Sequence, residues 1–102
     1  MKKYNTFNNK ELNTLLLKRK GGSTSIRIID ALLDRPLNAY QLSKLLELDY
    51  KTIIYHVTLF CESEFLTKDK ENYGPLFYPS KKLLENLIEY EKIKKIIKKT
   101  RK

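Results

Sequence analysis

A short run of aromatic and polar side chains halfway along the chain has the chemistry of a surface that binds nucleic acid. Lys51, Tyr55 and Thr58 fall at i, i+4 and i+7, so one face of a helix would carry all three. A lysine can reach a guanine edge or a phosphate, and a tyrosine hydroxyl can donate a hydrogen bond to a phosphate. Tyr50 opens this helix, and apolar Ile54 could contact a thymine methyl group. We therefore predict that these side chains contact DNA.

Further candidates for DNA contact lie on either side of this helix. Thr52 could bond a phosphate or, equally, the backbone of the first turn of its own helix. Gln41, on the preceding helix, is expected to touch the phosphate backbone. Lys68, Lys70 and Asn72 are expected to approach the adjacent minor groove or phosphates. The alternative for the helical residues is that they form an ordinary solvated face.

The residue types that catalysis and metal binding require are scarce. One histidine and one cysteine cannot supply the four ligands of a zinc site. We expect His56 to be a structural, hydrogen-bonded side chain and Cys61 to be buried packing near the end of its helix. No glycine-rich phosphate loop and no second histidine accompanies them. The chain is therefore predicted to be no enzyme and to hold no metal or other cofactor.

The length and the single cysteine limit the class of protein. A single cysteine excludes an internal disulfide and suits a reducing cytoplasm, which is the location we expect. No apolar run approaches the roughly 20 residues that cross a bilayer, and no signal peptide is recognised, so no membrane partner is expected. With 102 residues, the chain is expected to form one small domain with appendages.

The net charge of +9 is unevenly distributed along the chain. Residues 1–20 hold six Lys/Arg and one Glu, and residues 81–102 hold nine Lys/Arg and three Glu. Residues 21–80 hold six Lys/Arg against eight Asp/Glu. Positive charge attracts polyanions whatever their sequence, although a solvated lysine-rich surface would also explain it. We expect the basic ends to govern non-specific affinity and the central helix to govern sequence preference.

The candidate residues are best positioned by two short helices joined by a tight turn. Asn38 is placed to cap the first helix, and Asp49 to cap the second, which is expected over residues 50–63. Apolar residues recur at helical spacing in both helices, so one side of each faces a core. These residues are Leu42, Leu45 and Leu46, followed by Ile53, Val57 and Phe60. This is the pattern of a helix-turn-helix, whose second helix enters the major groove.

Two further helices are predicted ahead of this unit. The first covers about residues 9–20, and the glycine pair at residues 21–22 ends it, because glycine readily adopts the left-handed conformation of a helix stop. The second, capped by Ser23 or Thr24, runs to Arg35, directly before a proline.

The period of the pattern changes to that of short strands after the helix-turn-helix. Residues 65–68 and 76–78 are predicted as a hairpin, which needs a helical layer beneath it. The predicted fold is therefore α+β and mostly α: a winged helix-turn-helix with an added N-terminal helix and a long C-terminal helix. We expect a DNA-binding domain over residues 23–80, between basic dimerisation helices over residues 1–22 and 81–102.

The last predicted helix, over about residues 81–99, carries two apolar clusters. One lies within residues 83–88 and the other within residues 90–97, about a third of a turn away. One straight helix cannot bury both, so we expect the first half to pack on its own domain and the second to meet a second chain. The alternative is that both halves wrap a single curved core. The expected dimer interface consists of Leu12, Leu15, Leu16, Tyr90, Ile93, Ile96 and Ile97.

The sequence resembles the archaeal branch of the ArsR-like winged-helix transcriptional regulators. The segment LLLKRKGGSTSIRIIDALLDRPLNAYQLSKLLEL, residues 15–48, resembles the leading helices of that group, including its glycine pair and its entry to the turn. The segment LDYKTIIYHVTLF, residues 48–60, resembles the recognition helix. The segment NYGPLFYPS, residues 72–80, resembles the return strand of the wing.

This resemblance implies a homodimer whose first and last helices form the interface. It also implies that helix 50–63 reads the major groove of double-stranded DNA, while the wing, residues 66–78, contacts the adjacent backbone or minor groove. Two residues depart from the family pattern: Ile54 stands where a basic or polar residue is usual, and Glu64 where glycine often ends the helix. The cysteine pairs of metal-sensing members are missing, so a metal sensor is not expected, and the resemblance names no effector.

The sequence thus predicts a sequence-specific transcriptional regulator and leaves two alternatives open. A near-neutral central domain with apolar Ile54 and several tyrosines would also suit a protein-interaction adaptor of the transcription machinery. Basic ends alone would suit a non-specific architectural DNA binder.

Overall fold

The computed structural model describes residues 3–70 and 73–100 of the chain. The elements in these ranges are α1 (Lys3–Leu17), α2 (Gly22–Asp34), α3 (Ala39–Leu46), α4 (Tyr50–Glu62), β1 (Leu66–Lys68), β2 (Phe77–Pro79), α5 (Lys81–Leu84) and α6 (Leu87–Thr100). The predicted class, mostly α with a small antiparallel sheet, is confirmed: α2, α3 and α4 are followed by a hairpin that forms the wing. Within these two ranges, no helix combines the length and the apolar composition needed to span a bilayer.

The helix-turn-helix forms where the sequence predicts it because its first cap is satisfied locally. The Oδ1 atom of Asn38 accepts a hydrogen bond from the Gln41 backbone N–H at 2.8 Å, and Gln41 Oε1 accepts one from the Asn38 N–H at 2.9 Å. This reciprocal pair is a capping box that starts α3. Asp49 occupies the N-cap position of α4 as predicted, but its side chain makes no capping hydrogen bond.

The predicted junction of the first two helices needs correction. α1 ends before the glycine pair, and α2 already begins at Gly22. Gly21 lies in the left-handed region, with φ 87°, and takes the N-cap position of α2, so neither Ser23 nor Thr24 caps this helix. A Cβ on Gly22 would overlap the carbonyl oxygen of Leu16. The glycine pair therefore lets the end of α1 and the start of α2 approach closely.

The wing is attached to the helical layer through its second strand. Leu66 pairs with Pro79, and Lys68 pairs with Phe77, in an antiparallel register. Phe77 also exchanges two backbone hydrogen bonds, of 2.8 and 3.4 Å, with Leu37, which precedes α3. Both strands lie within one residue of their predicted bounds.

The turn between α4 and β1 contains a residue other than glycine in the left-handed region. Glu64 has φ 67°, at the position where the family resemblance expects glycine. The Phe65 N–H closes this turn by donating to the Phe60 carbonyl at 2.9 Å. A side chain in this conformation costs about 1–2 kcal/mol, so the chain tolerates strain here.

The predicted C-terminal helix is divided into α5 and α6 at residues 85 and 86. Asn86 is buried, and its Nδ2 donates to the Lys82 carbonyl at 2.9 Å. Its backbone N–H bonds the Leu83 carbonyl instead, also at 2.9 Å. The asparagine side chain thus takes the acceptor that a continuing α-helix would use, which interrupts the helix.

The two apolar clusters do not divide between core and partner as predicted, because α6 packs against α1 and α2. In the first cluster, Leu83 is buried, but Leu84 is 51% and Ile88 77% exposed. Of the seven residues predicted to meet a partner, Ile96 is 46% exposed and Leu15 is half-buried. The other five, Leu12, Leu16, Tyr90, Ile93 and Ile97, are buried in the core of the single chain. The expectation that these five residues meet a second chain and not their own core is therefore wrong.

Candidate nucleic-acid interface

Helix α4 has one buried and one exposed face, as its apolar period predicts. The buried residues are Ile53, His56, Val57 and Phe60. On the opposite side, Tyr50 and Tyr55 are 52% and 53% exposed, and Lys51 and Thr58 are exposed as well. We call these four residues the exposed face of α4. A tyrosine combines an apolar ring with a polar hydroxyl, which suits a surface that contacts another molecule.

An open groove of about 610 Å³ separates α4 from the wing. Ile54 and Cys61 line it from α4, Lys68 from β1 and Tyr40 from α3. Ile54 is half-buried in this groove. Cys61 is also half-buried, and burial raises the pKa of its thiol while Lys68 partly opposes that shift. In the ranges that the structure describes, no group of three or more His, Cys, Asp or Glu side chains could hold a metal ion.

Two of the flanking candidates lie near helix starts. Thr52 is half-buried in the first turn of α4. Gln41 is exposed, but its Oε1 already accepts a hydrogen bond in the capping box of α3. Its first role is therefore to begin α3, and a phosphate contact would be additional.

The wing candidates differ in their relation to α4. Lys68 is exposed and lines the same groove as Tyr50 and Thr58, so the fold brings it to the exposed face of α4. Lys70 is exposed beyond the end of β1. Asn72 lies outside the described residues.

The loop between α1 and α2 contributes a contact that no sequence pattern indicates. The guanidinium of Arg19 donates a hydrogen bond to the Tyr55 hydroxyl, and its Cζ lies 5.7 Å from the centre of that ring. This distance is within the range of a cation–π interaction. The basic triplet at residues 18–20 is visible in the sequence, but 36 residues separate Arg19 from Tyr55. The contact places a cation at the edge of the exposed face of α4.

His56 anchors α4 to the start of α2. It is 6% exposed, and its Nδ1 is hydrogen-bonded to Ser25 Oγ at 2.8 Å, which confirms the structural role predicted for it. The absent side chain of Gly21 leaves room for the ring, since a Cβ there would lie 3.2 Å from His56 Cε1. Burial and, secondly, the charge of Arg19 lower the pKa of His56 below its ordinary value of 6.5.

Three solved structures illustrate what this chain resembles. Reduced HlyU from Vibrio cholerae matches with a TM-score of 0.63 and 18% identity over 85% of this chain and 88% of that one. Oxidised MarR from E. coli matches with a TM-score of 0.61 and 11% identity, over 85% of this chain and 65% of that one. A possible transcriptional regulator from Methanosarcina mazei matches with a TM-score of 0.52 and 19% identity, over 91% of this chain and 88% of that one. No protein-family model and no curated protein matches the sequence.

At these identities the likeness establishes the fold alone. It agrees with the winged helix-turn-helix that the elements form and with the expectation drawn from the sequence. The ArsR-like branch and an archaeal source stay predictions.

Proposed function

We propose that this chain is a DNA-binding transcriptional regulator that reads the major groove with α4 and contacts the adjacent backbone or minor groove with its wing. One observation carries the proposal: α4 turns Lys51, Tyr55 and Thr58 to solvent, opposite its buried face and beside the wing groove. These side chains are of the kinds that bind base edges and phosphates. The Methanosarcina mazei neighbour, described as a possible transcriptional regulator, supports the same function.

The predicted contact residues take distinct roles in this proposal. Lys51 binds a guanine edge or a phosphate, and Tyr55 donates to a phosphate. Ile54 meets a thymine methyl group from the side of the wing groove. Lys68 and Lys70 contact phosphates next to the major groove, where their charge contributes affinity that does not depend on sequence.

A homodimer is part of the proposal, with an interface that differs from the predicted one. Leu84 and Ile88 are the exposed apolar residues of α5 and α6 in the cluster that the sequence assigned to the core. A second copy suits this surface, because Ile88 lines a cavity together with Glu91, Lys92 and Lys95, so that side chains of both charges border the apolar residues. Such a dimer would read two half-sites about one helical turn apart.

Selection of bound sequences from a pool of random duplexes tests the function directly. The full chain is incubated with the pool, and the bound fraction is amplified and sequenced over several rounds. An enriched palindrome is expected, since a two-fold dimer reads the same half-site twice. Salt-sensitive binding without enrichment would instead show a non-specific architectural binder, and absence of binding at modest salt would favour a protein-interaction adaptor.

A further inference from the structure

The two basic ends of the chain meet at the N-terminal turn of α2. The loop at residues 18–20 leads directly into this turn. From the other end, α6 packs on it, since a Cβ on Gly22 would lie 3.5 Å from Ile97 Cδ1. Lys98 and Arg27 line one cavity together with the first residues of α2. Segments that are far apart in sequence thus form one cationic surface.

This surface borders the helix-turn-helix. The basic flank, as we call it, comprises Lys18, Arg19, Lys20, Arg27 and Lys98. Arg19 donates a hydrogen bond to the Tyr55 hydroxyl, on α4. Arg27 Nη2 donates to the Leu46 carbonyl, at the end of α3, at 2.7 Å. The flank therefore touches both helices of the motif.

The basic flank and the wing lie on opposite sides of the exposed face of α4. Tyr50, Ile54 and Thr58 line the groove that leads to the wing. Tyr55 and His56, by contrast, contact the loop of residues 18–20 and the start of α2. A duplex that meets α4 in its major groove would present one phosphate strand to the wing and the other to the flank.

The acidic residue that lines the cavity of the flank is already paired with a lysine. Asp30 lines the same cavity as Lys98, but its Oδ2 lies 2.8 Å from Lys94 Nζ. Its Oδ1 accepts a hydrogen bond from the Tyr90 hydroxyl at 2.7 Å. The positive charge of the flank is therefore not cancelled by this carboxylate.

We infer that the basic flank binds the sugar–phosphate backbone of duplex DNA, and that Arg19 positions Tyr55 for the same contact. A guanidinium has five N–H donors, so Arg19 can hold the Tyr55 hydroxyl and bind a phosphate together. Tyr55 would then meet the backbone in a preset orientation, which lowers the entropy lost on binding. This inference rests on the proposed DNA-binding function and assigns it a second phosphate-binding surface.

The salt dependence of binding tests the flank. The probe is a short fluorescein-labelled duplex of mixed sequence, titrated with the full chain at several salt concentrations. Replacing Lys18→Gln and Lys20→Gln together is expected to weaken binding severalfold. It should make the slope of log K against log salt shallower by up to about 0.9 for each phosphate that the variant no longer binds.

A second pair of lysines provides the matched control. Lys10, in the middle of α1, and Lys81, at the start of α5, are both exposed beside the ion pair that Lys82 forms with Glu11 at 2.8 Å. The variant Lys10→Gln with Lys81→Gln removes the same charge and should keep the wild-type slope. If all three proteins show the same salt dependence and the wild type still binds, the basic flank does not bind the DNA backbone, and the proposed function is unaffected. Failure of the wild type to bind any duplex would overturn the proposed function as well.

A double-mutant cycle tests the positioning role of Arg19. If Arg19 acts through the Tyr55 hydroxyl, Arg19→Gln should cost less DNA affinity in a Tyr55→Phe background than in the wild type. Thermal unfolding of each variant accounts separately for any loss of fold stability. If the effects of the two substitutions on DNA affinity are strictly additive, Arg19 does not position Tyr55. A variant Arg19→Lys that keeps the wild-type salt dependence but shows no coupling with Tyr55→Phe would support the positioning role.

Discussion

Tyr55 differs from the other residues of the exposed face of α4 because Arg19 holds its hydroxyl while half of its surface stays open. A side chain that is already ordered loses less entropy on binding than one that must be fixed. Lys51 contributes through its charge and its reach instead. The two residues should therefore weaken DNA binding by different routes when they are replaced.

We expect Tyr55→Ala and Lys51→Ala each to cost about 1–3 kcal/mol in affinity for a selected duplex. Fluorescence anisotropy at one salt concentration measures this loss, and circular dichroism checks that the fold is intact. Lys81→Ala, an exposed change of the same kind on α5, should bind as the wild type does. Full affinity in both α4 variants would exclude α4 as the reading helix.

The buried position of His56 makes stability depend on pH. Because its pKa is lowered from 6.5 in the folded chain, the unfolded chain binds a proton more readily as the pH falls through that value. The free energy of unfolding should thus be highest above pH 6.5, fall on acidification, and level off below the folded pKa. Urea midpoints across this range measure the effect.

His56→Gln is the control for this dependence, because the chain contains a single histidine. The variant should lose the change of stability around pH 6.5. The same midpoints-versus-pH curve in both proteins would show that another group is responsible.

At the scale of elements, the sequence was informative where the signals are local. The bounds of α3 and α4 follow from Asn38, Asp49 and the apolar period, and the exposed face of α4 follows from the same period. The start of α2 and the break at Asn86 depend on which groups are packed against each other in the folded chain. The spacing of apolar residues along the sequence does not predict these contacts. The contact of Arg19 with α4 escaped prediction for the same reason.

Gly22→Ala should destabilise the fold by about 1–3 kcal/mol, although alanine is the better helix former, because its Cβ would overlap the Leu16 carbonyl oxygen. Chemical denaturation measures the change. Ser23→Ala, at the next position of α2, is the control and should stay within about 0.5 kcal/mol of the wild type. A Gly22→Ala protein as stable as the wild type would show that α1 and α2 can move apart at little cost.

At the scale of the whole molecule, the proposed dimer depends on the exposed apolar surface of α5 and α6. The wild type should sediment near twice its chain mass of 12.1 kDa, and Ile88→Glu should sediment as a monomer. Tyr73→Glu, on the wing at 90% exposure, makes a comparable change elsewhere and should leave the dimer intact. A wild-type monomer that still binds DNA would refute this interface without refuting the function.

The two hydrogen bonds between Leu37 and Phe77 tie the wing to the entry of α3. The distance from the wing to the helix-turn-helix is thereby set by backbone contacts. If the chain binds DNA as proposed, the duplex would have to adapt its groove widths to that distance. The energy of this deformation depends on the DNA sequence, because pyrimidine–purine steps are flexible and A-tracts are stiff. We therefore expect part of the sequence preference of this protein to come from the stiffness of the DNA, and to appear at base pairs that no side chain contacts.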